Sequence, residues 1–235
     1  MKVEIWSDVA CPFCYIGKRH FEAALEQFAD RDALDITWKS FQLDPTTPEV
    51  ASESHAEYLM KRKGFAAEQV EQMMLQVTEM ASHAGLDFHL DKSIIVNTRK
   101  AHLFIQFAKT KKLGDQAEER LFRAYFTEGL NIADEATLLQ LGQEIGLTED
   151  ETRASFTDEK YAYEMAQDIQ ESRSLGISGV PFFVFDRKYG VSGAQPVQVF
   201  LDSLNKAFGE WKSAQASVKL EVTQGNSCSV DGTCD

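Results

Sequence analysis

Four cysteines carry the chain's redox-capable chemistry, as two close pairs, Cys11 with Cys14 and Cys228 with Cys234, and no thiol lies between Cys14 and Cys228. In Cys11-Pro12-Phe13-Cys14, a helical backbone puts the two sulfurs about one turn apart on one face, close enough to form a disulfide or to act in sequence on another. Proline suits the first helical position, where its missing N–H removes no helical bond, which makes Cys11 the N-cap residue facing unpaired backbone donors. Those donors and the positive end of the helix dipole favour a thiolate at Cys11. Cys11 is therefore the expected nucleophile, and Cys14 the thiol that resolves the mixed disulfide by attacking the Cys11 sulfur. Run in reverse, the same steps donate a disulfide. Phe13 offers neither charge nor hydrogen bond to hold the thiolate, which speaks against an extreme oxidant.

A second signal is Val180-Pro181, which follows Gly176-Ile177-Ser178-Gly179 and opens a β-prone run. An X–Pro bond adopts the cis form at modest cost, and proline is tolerated at strand starts, so the pair reads either as a shaped loop or as an ordinary strand start. Other readings compete at the remaining sites. Cys11 and Cys14 could be half of a zinc site, but the other pair has five intervening residues and lies at the far end, unlike the usual close zinc spacings. Lys18, Arg19 and His20 read as a solvated helix edge, and Trp6, Trp38 and Phe41 as core. Around Asp231-Gly232, the Cys228/Cys234 pair can close a small disulfide loop; it either tidies the tail or exchanges disulfides with Cys11.

The elements that must position these residues follow from periodicity. Val3 to Trp6 is β-prone and leads into the first cysteine pair, after which Phe21, Leu25 and Phe28 recur at helical spacing. Leu34 to Phe41 alternates apolar and polar residues, and Asp44-Pro45 and Pro48 end that strand. Helical segments are expected near 65–84, 97–112, 115–128, 134–145, 149–156 and 158–175, with Asn97 and Asp134 as N-caps, a Thr148/Glu151 capping box, and Gly85 and Gly146 at helix ends. Met73, Leu75, Val77 and Met80 read as core packing. Val180 to Phe185 and Tyr189 to Ala194 form a hairpin, and a last helix runs from about Pro196 to Trp211. The expected fold class is α/β: a β-α-β unit, a long helical insertion, then β-β-α, which is the thioredoxin order with one mixed sheet. The expected division is a discontinuous thioredoxin-like domain of residues 1–45 and 176–212, a helical insertion of 46–175, and a tail of 213–235 bearing the second cysteine pair.

Composition bounds the function. With 235 residues, 43% of them hydrophobic, the chain can bury a core that needs neither metal nor disulfide to fold. The formal net charge of -13 opposes nonspecific attraction to nucleic acid or an anionic membrane. No apolar run approaches the roughly 18 residues of a membrane span. Charges interrupt the apolar residues of Met1 to Asp8, unlike a secretory signal, so a cytoplasmic location is expected. Four cysteines are too sparse for a disulfide scaffold. No cofactor is called for.

The motifs Asp8-x-x-Cys11-Pro12-Phe13-Cys14-Tyr15-x-Gly17, Phe41-x-Leu43-Asp44-Pro45 and Gly176-Ile177-x-Gly179-Val180-Pro181-Phe182-Phe183 resemble the DsbA-like thioredoxin family, in its cytoplasmic FrnE-type branch, over nearly the whole chain. The resemblance implies a helical lid beside the active site and oxidoreductase or isomerase activity on disulfide-containing proteins or small thiols, with a cellular thiol/disulfide recycling partner. It further implies a cis Pro181, with the Val180 backbone pairing with substrate, and matches the C-terminal cysteine pair. Kappa-class glutathione transferases and 2-hydroxychromene-2-carboxylate isomerases are similar in layout but usually carry serine at the position of Cys11. A glutathione-dependent isomerase or transferase and a non-catalytic zinc or adaptor module are therefore the alternatives, and the presence of both cysteines favours redox chemistry.

Overall fold

The computed structural model describes residues 1–50 and 53–216. Cys228, Cys234 and the rest of 217–235 lie outside the described residues.

The chain runs β1 (Lys2–Ser7), α1 (Pro12–Gln27) and β2 (Asp35–Ser40), then seven helices before the next described strand. These are α2 (His55–Lys63), α3 (Ala67–His83), α4 (Arg99–Thr110), α5 (Gly114–Phe126), α6 (Glu135–Glu144), α7 (Glu149–Ser155) and α8 (Glu159–Ser174). β3 (Phe182–Phe185), β4 (Tyr189–Ser192) and α9 (Val197–Ala216) complete it. The strands form one mixed sheet in the order β2-β1-β3-β4. β1 lies parallel to β2, with Ile5 opposite Trp38, and antiparallel to β3, with Ile5 opposite Phe183. This is the thioredoxin fold with a large helical insertion between β2 and β3.

β1 is buried from Val3 to Ser7, as a central strand covered on both faces must be. On one face Phe21 of α1 packs against Phe183 and Phe200, and Phe28 against Phe208. That pairing makes α9 run parallel to α1. The N-terminal part of α1 instead joins the core of the insertion, where Cys14, Tyr15 and Ile16 pack with Phe104, Phe122 and Phe126. One helix thus serves two cores, and its first turn lies where they meet.

Asp168 of α8 fixes the insertion to the β2 edge. Its buried carboxylate accepts from Lys39 Nζ at 2.8 Å, the Ser40 N–H at 3.1 Å and Gln106 Nε2 at 2.6 Å, while its carbonyl accepts from Trp6 Nε1 at 2.9 Å.

The expected capping box at Thr148 and Glu151 and the Asp134 cap are present, and Gly85 and Gly146 take positive φ after α3 and α6. Three expectations need correction. The periodicity did not reveal α2, a helix of nine residues that buries only Tyr58 and is held by a Ser54/Glu57 capping box and a left-handed Gly64. The N-cap of α4 is Thr98 rather than Asn97; Asn97 Oδ1 accepts the Arg99 N–H, and its Nδ2 donates to the carbonyls of Pro45 and Thr47. Met73 and Leu75, read as core, are 38% and 64% exposed, because α3 is a surface helix that fully buries only Val70 and Ala81.

Candidate active site

The structure brings the Cys11/Cys14 pair together with Val180 and Pro181, some 169 residues away along the chain. Cys11 is the N-cap of α1 with extended backbone (φ -94°, ψ 112°), and Pro12 occupies the first turn. The Cys11 N–H donates to the Asp8 carbonyl at 2.9 Å and the Cys14 N–H to the Cys11 carbonyl at 3.0 Å, which winds the first turn tightly. Both residues are thiols, 3% and 0% exposed. The Cys11 thiol donates to the carbonyl of Val180 at 3.5 Å, and the Val180–Pro181 bond is cis. Burial pushes the Cys14 thiol well up, and the neighbouring Cys11 sulfur adds to this against lowering contacts from Asp8 and Ser7.

Gly17 permits the approach of α1 to this loop. A Cβ there would lie 3.0 Å from Pro181 Cγ and 3.5 Å from both Ala194 Cα and Phe183 Cζ. Pro181 in turn accepts from the Gly193 N–H at 2.8 Å, so the loop is tied to the end of β4.

Lys18 corrects the reading of residues 18–20 as a solvated edge. It is 2% exposed and faces α5, paired with Glu22, with Asp115 at 3.4 Å and with Glu119 at 3.1 Å. Arg19 and His20 are half-buried; Arg19 pairs with Glu22 and Glu119, and His20 Nδ1 lies 2.9 Å from the Gln195 carbonyl. Although burial opposes it, the Arg19 and Lys18 cations hold the Glu119 carboxyl down at about 2. Tyr15 completes this contact, stacking on Phe122 at 4.9 Å and donating to Glu119 at 2.7 Å. The crossing of α5 over α1 creates this cluster, and the local pattern of α1 carries no sign of it.

A groove of about 390 Å³ opens beside Cys11. Phe13, Leu43, Met73, Met74, Val77 and Leu90 wall it, Asp8, Thr98 and Tyr125 lie deeper, and His55, Tyr58 and Lys63 come from the α2 side. Buried Asp8 accepts from the Leu43 N–H at 2.8 Å and the Ala10 N–H at 3.4 Å, and His102 Nε2 lies 3.4 Å from its Oδ1. The fully buried Tyr125 hydroxyl has no hydrogen-bond partner among the described residues. Sequence reasoning missed Tyr125 and His102, whose helices look like ordinary amphipathic core; Asp8 was visible as part of the motif. Among the described residues no group of three His, Cys, Asp or Glu side chains is arranged to hold a metal ion, and no helix is long and apolar enough to cross a membrane.

Residues 2–205 match the family model of the DSBA-like thioredoxin domain. A probable DsbA oxidoreductase from Streptomyces coelicolor is 34% identical, with a TM-score of 0.88 over 100% of this chain and 98% of the other. The uncharacterized protein YwbO of Bacillus subtilis is 25% identical over 187 residues, 77% of this chain and 85% of its own length. The cytosolic disulfide reductase DsbM of Pseudomonas aeruginosa, solved with GSH, shares the fold at 17% identity, with a TM-score of 0.62 over 92% of this chain and 100% of DsbM. With a cysteine pair at the start of α1 facing a cis-proline loop, and with the family model spanning most of its length, the chain belongs to the DSBA-like thioredoxin domain family of thiol-disulfide oxidoreductases.

Proposed function

We propose that the protein is a thiol-disulfide oxidoreductase or isomerase in which Cys11 is the nucleophile and Cys14 the resolving thiol. The observation that carries this reading is the Cys11 thiol at a helix N-terminus, 3.5 Å from the Val180 carbonyl, with buried Cys14 one turn behind. The first reacting atom is Cys11 Sγ, at the N-terminus of α1. That sulfur attacks one sulfur of a substrate disulfide; the substrate S–S bond breaks, a mixed disulfide forms, and the departing thiolate takes a proton. Cys14 then loses its proton and attacks Cys11 Sγ, which releases the second substrate thiol and leaves a Cys11–Cys14 disulfide. Two electrons pass from the enzyme dithiol to the substrate, and a cellular thiol restores the dithiol. The reverse sequence oxidises a substrate dithiol. Val180 and Pro181 form the substrate-pairing edge, and the helical insertion of residues 46–175 acts as the lid beside it.

Substrates are disulfides of proteins or small thiols. A cytoplasmic setting is proposed, in keeping with the description of the similar DsbM as a cytosolic reductase. The test is disulfide reductase activity in Cys11→Ser and Cys14→Ser variants together with the reduction potential of the pair. Loss of turnover in Cys11→Ser is expected, and retained turnover contradicts the reading. A potential near roughly -270 mV marks a reductase and one near roughly -120 mV an oxidase.

The tail pair is proposed to exchange disulfides with Cys11. If Cys228→Ser/Cys234→Ser leaves both the potential and the turnover unchanged, the exchange is wrong.

A further inference from the structure

β1 ends on a buried serine whose side chain is left idle in the dithiol protein. Ser7 is 0% exposed, and its Oγ has no hydrogen-bond partner among the described residues. Its backbone is fixed, because the Ser7 carbonyl accepts from the Phe41 N–H at 3.0 Å and Ser7 pairs in register with Ser40 of β2. Ser40 shows the ordinary outcome for such a group: its Oγ accepts from Gln106 Nε2 at 3.0 Å. A buried hydroxyl without a partner costs folding free energy, so its presence at Ser7 calls for another reason.

Strand alternation says where that hydroxyl points. Val3 and Ile5 belong to the core that Phe21 of α1 shares, so Ser7, two residues on, faces α1 as well. Cys14 stands seven residues before Phe21, about two helical turns, and comes from the same side of α1. The Ser7 hydroxyl and the Asp8 N–H both bear on Cys14 Sγ and favour its charged form, although the hydroxyl makes no well-aligned bond to the neutral thiol. A neutral thiol is a weak acceptor, whereas hydrogen bonds to ionised groups are roughly twice as strong as neutral ones. A donor idle beside the thiol and engaged by the thiolate stabilises the reacting state rather than the resting one.

Resting on the oxidoreductase reading above, we infer that Ser7 and the Asp8 N–H form a cradle for the Cys14 sulfur as it takes on negative charge, with the Ser7 hydroxyl donating to it in that state. Ser7 keeps its own proton throughout. Cys14 gives up its proton, its Sγ forms the bond to Cys11 Sγ, the bond from Cys11 to the substrate sulfur breaks, and the departing substrate thiolate takes up a proton in turn. In the reverse direction the cradle holds Cys14 as the leaving thiolate, so both directions gain alike.

The test is Ser7→Ala in the full chain, oxidised with glutathione disulfide and acid-quenched to follow formation of the Cys11–Cys14 disulfide. At low glutathione disulfide the rate reads attack by Cys11, and at high concentration it levels off at the rate of closure by Cys14. The first should stay within about twofold of the parent and the plateau should fall about fivefold. Losing one bond to a charged sulfur weakens Cys14 ionisation about tenfold or more, and the accompanying rise in nucleophilicity returns part of that. Reduction of the disulfide by dithiothreitol should slow by the same factor, which leaves the equilibrium constant with glutathione within about twofold. Because alanine removes an idle buried hydroxyl, the denaturant midpoint of the reduced variant should equal or exceed the parent's. An unchanged plateau overturns the inference while leaving the oxidoreductase reading intact. A lower midpoint with both phases slowed in step makes Ser7 a purely structural residue and overturns it equally. No reaction of the parent with the disulfide overturns the underlying reading instead.

Discussion

The carbonyl oxygen of Val180 accepts the thiol of Cys11 at 3.5 Å, although 169 residues separate them. This contact joins the start of the first helix to the loop that opens the second half of the sheet. Its geometry depends on α1 lying close to Pro181, and Gly17 sets that separation.

Gly17→Val is therefore expected to force Pro181 and its loop away from α1. The native fold should survive at a cost of about 1–3 kcal/mol, as for other overpacked sites. The rate of Cys11 attack on a model disulfide should stay within a fewfold while kcat/KM for peptide disulfides falls tenfold or more. Denaturant unfolding and steady-state kinetics check the two parts.

The buried Cys14 thiol predicts a pH dependence for the second half-reaction. Burial holds this group protonated well above the ordinary thiol range, so its thiolate fraction grows about tenfold per pH unit. In a preformed mixed disulfide on Cys11, closure of the Cys11–Cys14 bond should accelerate in that proportion, with no plateau below pH 9. Stopped-flow measurement of substrate release from pH 6 to 9 checks it.

Glu118 on α5 predicts a pH dependence of stability. Burial and the nearby Asp115 carboxylate push its carboxyl up to about 8, against the partial relief of Lys18 and Lys109. Because the folded-state value is raised, the neutral acid costs nothing below its ordinary value of 4.5, and stability drains away as pH rises from there through 8. Glu118→Gln should equal the parent near pH 4 and exceed it near pH 8, by on the order of 4 kcal/mol. Urea unfolding at the two pH values is the measurement.

What the sequence made legible was local. Cys11-Pro12-Phe13-Cys14 at a strand-to-helix turn, the alternation around Trp38, the Thr148/Glu151 box and Val180-Pro181 all signal through neighbours a few residues apart. Their assembly followed from the order of strands and helices. The missing parts depend on which helix crosses which. Lys18 is buried because α5 presents Asp115 and Glu119 to it. Tyr125 points at the groove because α5 continues past Tyr15, and a tyrosine on an apolar helix face has the same pattern whether it fills core or faces a ligand. Met73 and Leu75 stand two residues apart on α3 and so cannot share one core-facing stripe; both are exposed, and only Met73 borders the groove beside Cys11. The short, charged α2 buries too little to leave a periodic trace.

The central claim is that Cys11 attacks and Cys14 resolves, and trapping tests it most directly. Cys14→Ser is mixed with a peptide disulfide, quenched with acid and digested for mass spectrometry. The predicted result is a stable peptide adduct on Cys11 that accumulates in the variant and is transient in the parent. An adduct on another cysteine, or none on Cys11, would contradict it.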